Sequence, residues 1–282
     1  METFASGAKA HYYGKGDVIV YRLTRNGVPV DGASPVFGAN VLMLLYGDAF
    51  WPTYTTGDNT ALIATDSMKN FIQRETLTFP GHDYEGLCRF LATRFLDTYG
   101  QVEGIQVTAT EIPYSGLESG AAFSPGGPER AVARVEVRRE GLVEAMSGIR
   151  GFRLVRLGGS SFHGFIRDQY TTLPDIANRP LHIWLDLEWR HLKHEAAFTD
   201  GAVTARVRRL VRDVFSSFAS ESIQQLIHQI GTRLLADEPS IAEVHLEATN
   251  RTWDTIAEEG DTLGVYTDSR PPYGCLGLSL KR

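Results

Sequence analysis

The chain carries an internal repeat, and this repeat limits the possible folds more than any other feature of the sequence. Residues 93–111 align without gaps to residues 232–250. Four aligned positions keep their apolar character, namely Phe95/Leu234, Val102/Ile241, Ile105/Val244 and Val107/Leu246. A second, shorter echo pairs Tyr54-Thr-Thr with Tyr170-Thr-Thr. Because self-similarity of this length marks a repeated structural unit, we expect two equivalent halves.

Hydrophobic periodicity gives both halves the same order of elements. The first half reads as strands 18–23 and 37–46, helices 66–75 and 83–99, and strands 105–113 and 131–139, with an Asn26-Gly27 turn signal after the first strand. The second half reads as strands 152–157 and 181–190, helices 202–218 and 222–235, and a strand at 244–248. The predicted join lies between residues 140 and 148, which divides the chain into units 1–143 and 144–282.

The implied unit is β-β-α-α-β-β, which belongs to the α+β class. Its antiparallel strands would form a sheet that carries the helices on one face. Two such units give a long sheet with an exposed edge strand at each end, and exposed edges favour pairing with another chain. Closing the sheet into a barrel with a second chain would remove those edges, so the repeat predicts a homo-oligomer.

Composition excludes several classes of partner and location. The chain has 282 residues, a formal net charge of −6 and 43% hydrophobic residues, so it can bury a sizeable core. No basic face dominates, which argues against a nucleic-acid or membrane-surface partner, and no run approaches the ~20 apolar residues of a membrane span. Two cysteines are too few for a disulfide framework, and the N-terminus lacks a signal-peptide layout. We therefore expect a cytoplasmic protein.

A candidate ligand site follows the apolar stretch 61–64, which resembles a short strand. Thr65-Asp66-Ser67 is a typical helix start, in which Asp66 or Ser67 would accept hydrogen bonds from free backbone N–H groups. Such a start also directs donors at a partly anionic ligand and would leave the Thr65 hydroxyl free. The alternative is a capped helix without a ligand.

Further candidate groups occur in both halves. Lys15 stands between two glycines just before a strand, where it could approach a ligand closely or be an exposed turn lysine. Phe162 could stack on a flat ligand or belong to the core. Arg179, before a proline, could read planar acceptors or form a surface ion pair. Gln224 at a helix start offers a donor and an acceptor side by side, which suits an amide-like ring edge, or is a polar first-turn residue.

The sequence gives little support for a metal or a common cofactor. His191 and His194 are the only close histidine pair, and no cysteine pair, acidic dyad or HExxH motif accompanies them. Phosphate-binding loops and Gly-rich dinucleotide fingerprints are absent from the sequence. We therefore expect no cofactor and no metal.

At these candidate groups the chain resembles the urate oxidase (uricase) family. Six signature segments appear in order across most of the chain: Tyr13-Gly-Lys15, Asp58-Asn59 with Ala64-Thr-Asp-Ser-Met-Lys-Asn70, Gly164-Phe-Ile-Arg-Asp-Gln-Tyr-Thr-Thr-Leu173, Asp175 to Arg179, Ser222-Ile-Gln224, and Asn250. The resemblance implies the tunnelling fold (T-fold), a tandem of β-β-α-α-β-β units, and a homotetramer with active sites between subunits. It also implies cofactor-independent oxidation of urate by O2 and water to 5-hydroxyisourate and H2O2 in purine degradation.

The resemblance also implies a role for each site residue. Arg179 and Gln224 would grip the edges of the purine, and Phe162 would stack on its face. The Ile223 backbone, together with Thr65 and Asp66 from the neighbouring subunit, would hold the remaining edge. Asn250 would lie above the ring near the oxygen site. Lys15 and Thr65 would form the catalytic proton relay.

One residue departs from the family pattern. Many uricases read Asn-Lys-His after the last repeated strand, whereas this chain reads Asn250-Arg251-Thr252. Because a threonine hydroxyl can pass a proton but cannot act as a base near neutral pH, Thr252 puts the third relay member in doubt. Two alternatives stay open at this point: a purine-binding T-fold protein with impaired turnover, and a pterin-handling enzyme of the same fold. A pterin enzyme would use a buried glutamate anchor where this chain has Arg179 and Gln224.

Overall fold

The computed structural model describes residues 11–25, 34–118, 122–260 and 262–282. The predicted Asn26-Gly27 turn lies outside these residues. The chain divides into two compact units. Unit 1 runs up to Ser147 and includes Lys193–Gly201, and unit 2 comprises Gly148–Leu192 and Ala202–Arg282. The boundary falls within one long strand, Gly141–Arg156.

Unit 1 is built around a four-stranded antiparallel sheet. Its elements in chain order are β1 (Tyr13–Leu23), β2 (Val36–Tyr46), α1 (Trp51–Thr55), α2 (Thr65–Glu75), α3 (Tyr84–Thr98), β3 (Gly104–Glu111), β4 (Tyr114–Gly116), β5 (Phe123–Pro125), β6 (Arg130–Arg138) and the start of β7 (Gly141–Arg156). The strand order is β1-β2-β3-β6, with α3 packed on β3 and β6 and α2 packed on β1. β4 and β5 form a separate small hairpin.

Unit 2 repeats this architecture. After β7 it holds β8 (Leu181–His191), α4 (Val203–Ser217), α5 (Ile223–Asp237), β9 (Ile241–Asn250), β10 (Asp254–Glu259), β11 (Leu263–Thr267) and β12 (Cys275–Lys281). β8 pairs with β9 and β9 with β12, while β10 and β11 form a hairpin of their own. The helix α5 packs on β9 and β12, and α4 packs on α5. The predicted α+β class and the antiparallel sheet with helices are therefore confirmed, and β12 supplies a strand that the sequence did not reveal.

The aligned repeat marks equivalent places in the two cores. In each unit it covers the end of the second helix and the strand that follows. All eight paired apolar residues are fully buried, Phe95 and its three partners in unit 1 and Leu234 and its three partners in unit 2. Each unit has one hydrophobic cluster of its own. The shorter echo was misleading, because Tyr54 lies in the short helix α1 whereas Tyr170 lies in a loop turn.

Candidate active site

Lys15 lies inside β1 rather than before it, because the strand begins at Tyr13, upstream of the predicted start. It pairs with Met43 of β2, and the register then shifts before Val18, where Asp17 adopts a left-handed backbone with φ 53°. The neighbouring Gly14 permits this close pairing, since a Cβ there would lie 1.9 Å from the Met43 carbonyl oxygen. The half-buried Lys15 is therefore presented at a bulge in β1.

The helix α2 begins at Thr65, but the predicted side-chain cap is wrong. The N-cap residue is Ala64, whose side chain cannot accept a hydrogen bond from the first turn. The Asp66 carboxylate instead binds Lys69 Nζ at 2.5 Å and Asn70 Nδ2 at 2.9 Å. Thr65 and Asp66 are both exposed, so the first turn of α2 presents a hydroxyl, a carboxylate and free backbone donors.

The charge of Lys15 acts on this helix start. Lys69 holds the pKa of Asp66 below its ordinary value, and Lys15 lowers it further by a smaller amount. Unit 1 thus brings the charge of Lys15 within electrostatic reach of the helix start at Thr65 and Asp66, in keeping with the packing of α2 on β1.

A tyrosine that the sequence reasoning passed over links these two segments. The Tyr13 hydroxyl accepts a hydrogen bond from the Ile63 backbone N–H at 3.0 Å, and its ring packs edge-on against Phe50 at 4.9 Å. Burial raises the pKa of Tyr13, so its hydroxyl stays neutral. The prediction that the stretch 61–64 is strand-like is wrong, because the Ile63 N–H donates to this side chain instead of to a strand. Tyr13 therefore fixes the segment that precedes Thr65 against the strand that carries Lys15.

In unit 2, Phe162 and Arg179 lie side by side on two bonded loop segments. Phe162 and Ile176 exchange two backbone hydrogen bonds of 2.7 and 2.9 Å, and the Arg179 N–H donates to the Ser160 carbonyl at 2.9 Å. The Arg179 guanidinium carbon lies 5.7 Å from the centre of the Phe162 ring. The Phe162 ring is also stacked on the ring of Phe165, with the two ring centres 5.0 Å apart and an interplanar angle of 14°.

The Arg179 guanidinium has donor capacity to spare. It is half-buried, and burial lowers its pKa from the ordinary arginine value. Its Nε is fully enclosed and finds no hydrogen-bond partner within the described part of the chain. A buried donor without a partner is costly, so an acceptor from a ligand would stabilise this group.

The start of α5 is capped by Ser222, which places Gln224 in the first turn of the helix. Ser222 Oγ accepts from the Gln225 N–H at 3.1 Å, and the Gln225 side chain accepts in return from the Glu221 N–H at 2.8 Å. Ile223 is buried and Gln224 is exposed. The cap therefore anchors Ile223 in the core and leaves the Gln224 amide available to a ligand.

Asn250 ends β9 beside a cavity of about 530 Å³. The cavity is lined by Asn250, Thr252, Asp254, Arg270, Pro271, Pro272, Tyr273 and Gly274. The Asn250 N–H donates to the Gly274 carbonyl at 2.9 Å, and its side-chain Oδ1 accepts from the Thr252 hydroxyl at 3.0 Å. Between them, Arg251 is held by the rings of Trp184 and Tyr273, with its guanidinium carbon 3.9 and 3.7 Å from their centres.

Across the described ranges, no group of three or more His, Cys, Asp or Glu side chains is arranged to hold a metal ion. His191 contacts Ser240 Oγ at 3.3 Å, and His194 contacts the Ala145 N–H at 3.4 Å. None of the helices described has the length and apolar character needed to cross a membrane.

The fold and these residues define a class: an α+β protein of two repeated β-β-α-α-β-β units, with an arginine and a phenylalanine facing each other in one unit and a lysine beside a helix start in the other. The sequence profile of the family described as Uricase matches residues 145–276. The chain is 33% identical to a uricase of Haloferax volcanii over 96% of this chain and 97% of that one. It belongs to the uricase family.

Other relatives agree with this assignment. A uric acid degradation bifunctional protein of Bacillus subtilis is 37% identical over 96% of this chain but only 60% of its own length. The chain thus spans about three fifths of that curated relative. The crystal structure of a Bacillus sp. TB-90 urate oxidase superposes with a TM-score of 0.88 at 36% identity, covering 97% of this chain and 100% of that one. A uricase from Bacillus fastidious gives 0.87 at 34% identity, covering 97% and 94%.

Proposed function

We propose that this protein is a cofactor-independent urate oxidase. The reaction consumes one urate, one O2 and one water and yields one 5-hydroxyisourate and one H2O2, so urate loses two electrons and O2 gains them. The urate anion is electron-rich and can donate an electron to O2 directly. The protein then has to bind the flat ring, exclude water and move protons.

The observation that carries this proposal is the pairing of Arg179 with Phe162. A planar guanidinium with a free buried donor suits the carbonyl oxygens and ring nitrogens along one edge of an oxidised purine. The Phe162 ring 5.7 Å away offers a surface on which the same ring can stack. Analogues that lack the matching edge would leave these donors unpaired, which can reduce binding by up to ~10⁴-fold.

The other binding roles follow from where the groups lie. Gln224, exposed at the start of α5, would bind a second edge of urate through its amide, and the Ile223 backbone would contact the ring beside it. Asn250 would lie above the ring at the oxygen and water position. Because the Thr252 hydroxyl donates to Asn250 Oδ1, it would turn the Asn250 NH2 group outward as a donor. This arrangement supports Thr252 as a residue that orients Asn250 and passes a proton through water.

The proton-handling groups would come from unit 1. Thr65 Oγ1 would take a proton from bound urate or water and pass its own to Lys15 Nζ. The influence of the Lys15 charge on Asp66, at the same helix start, supports this pairing. Asp66 and the free N–H groups of the first turn of α2 would bind the remaining edge of the anion.

We further propose a homotetramer with active sites at subunit interfaces, in which dimers close their sheets into a barrel, and a cytoplasmic location. Thr65, Asp66 and Gln224 are exposed in the single chain, whereas an oxidase site has to exclude bulk water and admit only the water that reacts. The strand β1 lies at the edge of its sheet and carries Ile19, Tyr21 and Leu23 about half exposed. A neighbouring subunit would cover both features.

Oxygen uptake by metal-stripped protein tests the function. With urate added, we expect O2 and urate to disappear in equal amounts while H2O2 forms, and catalase should return half of the oxygen. Urate binding without oxygen uptake would contradict the proposal and favour a purine-binding protein without turnover. Uptake that depends on added metal would contradict the cofactor-independent chemistry.

A further inference from the structure

The guanidinium of Arg156, at the end of β7, joins three segments of unit 2. Its Nη1 donates to the carbonyls of Phe215, at 3.0 Å, and Phe218. Its Nη2 donates to the Gly159 carbonyl at 2.9 Å and to Ser220 Oγ at 3.0 Å. This side chain thus makes four hydrogen bonds. Three acceptors are distant from it in the sequence, and the fourth, Gly159, lies three residues after it.

Two of these acceptors belong to the end of α4, where Phe218 is the C-cap residue. Carbonyls at a helix end lack partners within the helix and carry partial negative charge, so a guanidinium satisfies both needs. Three of the four acceptors are backbone carbonyls and the fourth is a serine hydroxyl. This bonding fixes the end of α4 and the connection that leads to α5.

The other acceptors link this cap to the proposed binding residues. The Ser220 N–H donates to the Gly159 carbonyl at 3.1 Å, and the Ser161 N–H donates to the Ser220 carbonyl at 2.9 Å. Gly159, Ser160 and Ser161 are the three residues before Phe162. The Ser160 carbonyl accepts a hydrogen bond from the Arg179 N–H. Ser220 stands two residues before Ser222, the cap of α5.

We propose that Arg156 is a positioning residue that holds the Phe162 loop, Arg179 and the start of α5 in the arrangement that binds the planar anion. This inference rests on the proposed function for the identity of the ligand. Without the guanidinium, part of the binding energy of urate would be spent on ordering these loops, so affinity should fall. Turnover at saturating urate should change little, because the hydrogen bonds of Arg156 hold binding segments, whereas Lys15 and Thr65 of the proposed proton relay lie in unit 1.

The chain offers a matched control in Arg282. Its guanidinium donates to the carbonyls of Leu235, Glu238 and Ile241, the latter two at 3.3 and 3.2 Å, and so caps the end of α5. This is the same kind of bonding, at the opposite end of α5 from Ile223 and Gln224. Loss of Arg282 should therefore reduce stability without affecting the binding loops.

The test compares Arg156→Met, Arg156→Lys and Arg282→Met in the full chain, well below their melting temperatures. We expect Arg156→Met to raise the urate KM about tenfold with kcat within about threefold, the pattern of lost binding. Arg156→Lys should be intermediate because an ammonium cannot span four acceptors, and added guanidinium ion should partly restore KM in Arg156→Met. Arg282→Met should lower Tm and keep the wild-type KM.

Two outcomes would overturn the inference: a folded Arg156→Met with wild-type KM, or an equal rise of KM in Arg282→Met. If Arg156→Met does not fold, Arg156→Lys and Ser220→Ala decide, and wild-type KM in both would contradict the proposal. Urate dissociation constants measured by calorimetry under nitrogen separate the two claims. Absence of oxygen uptake by the wild-type protein counts against the oxidase function alone, whereas an unchanged dissociation constant in the Arg156 variants counts against the positioning role alone.

Discussion

In each unit, an arginine near the end of the first strand binds the connection between the two helices, an arrangement we call the arginine device. Its role differs between the two units. In unit 1, Arg22 near the end of β1 donates to the carbonyls of Phe79 and, at 2.6 Å, Gly81, in the connection between α2 and α3. In unit 2, Arg156 at the end of β7 binds the corresponding connection between α4 and α5. Only in unit 2 does the arginine also bind a loop that carries proposed ligand-binding residues.

The second helix of each unit is capped alike. Arg139, directly after β6, donates to the carbonyls of Leu96 and Tyr99 at 3.3 and 2.9 Å, at the end of α3. Arg282, directly after β12, does the same at the end of α5. These contacts involve no proposed site residue in either unit, so they belong to the repeated framework.

The difference shows how one framework supports two kinds of chemistry. Unit 2 places Phe162 and Arg179 on loops, and Arg156 binds the loop that leads to Phe162. Unit 1 places Lys15 and Thr65 on a strand and on the start of a helix that packs against that strand, and the Tyr13 hydroxyl adds a hydrogen bond between the two segments. We therefore expect substitution of Lys15 in unit 1 to affect mainly turnover and substitution of Arg179 or Arg156 in unit 2 to affect mainly affinity, and the variants below test that division.

The largest expected effect belongs to Lys15. Lys15→Met removes the proposed proton acceptor from unit 1, so kcat should fall by a factor of about 10² or more while urate affinity changes little. Steady-state oxygen uptake and calorimetry measure the two quantities. Lys281→Met, at an exposed lysine of β12, is the control and should keep full activity. Full activity in Lys15→Met would show that the relay is assigned to the wrong residue.

Arg179→Ala should produce the opposite pattern in unit 2. Loss of a charged donor pair from the binding edge should raise the urate dissociation constant about thirtyfold, the range of a charge-assisted hydrogen bond. The kcat at saturating urate should fall much less. Titration of the variant with urate under nitrogen provides the measurement, and wild-type affinity would remove Arg179 from the binding site.

Arg22→Met sharpens the comparison between the two arginine devices. It should lower Tm by about 4 °C, since two helix-connection carbonyls lose their donor, but leave the urate KM within about twofold. Differential scanning calorimetry and oxygen uptake on the same preparation test this. A rise in KM as large as that in Arg156→Met would mean that Arg156 affects urate binding only by stabilising the fold, and not by positioning the binding loops.

The smallest expected effect depends on pH. Burial raises the pKa of Glu85 in the first turn of α3, and a hydrogen bond with Ser147 offsets this only in part. Because the folded-state pKa lies above the unfolded one, the cost of burial is absent below the unfolded pKa. It appears as pH rises through the folded value.

Glu85→Gln stays neutral at every pH and should therefore melt roughly 2 °C higher than the wild type at pH 8. This advantage should disappear toward pH 4. A constant difference in Tm across that range would show that Glu85 is not a source of pH dependence.

The sequence predicts those parts of the molecule that depend on apolar periodicity. The second helix and following strand of each unit lie where the repeat places them, because their buried positions recur in both halves. The strand β10 was missed because it is largely exposed and shows no apolar alternation with a buried face. The strand β12 was missed although Leu276, Leu278 and Leu280 alternate along it and pack against the core of unit 2. The cap expected at Asp66 failed because Lys69 and Asn70 compete for its carboxylate.

The candidate site could be predicted from the sequence only in part. The family motifs point to Lys15, Arg179 and Gln224 by resemblance. Tyr13 belongs to the first motif but received no role there, and Arg156 lies outside all six motifs. The main partners of those two side chains are backbone groups, namely the Ile63 N–H and several carbonyls. Any residue can supply such a group, so the contact leaves no pattern in the sequence.

Co-expression of Lys15→Met and Arg179→Ala chains tests the central claim most directly, namely that unit 1 of one subunit and unit 2 of its neighbour form one urate oxidase site. Each variant alone should be nearly inactive at urate concentrations below the Arg179→Ala KM. Random assembly of the two chains should restore about a quarter of the wild-type oxygen uptake, because one site in four then combines an intact Lys15 with an intact Arg179. Mixed oligomers with no more activity than the separate variants would contradict the shared site.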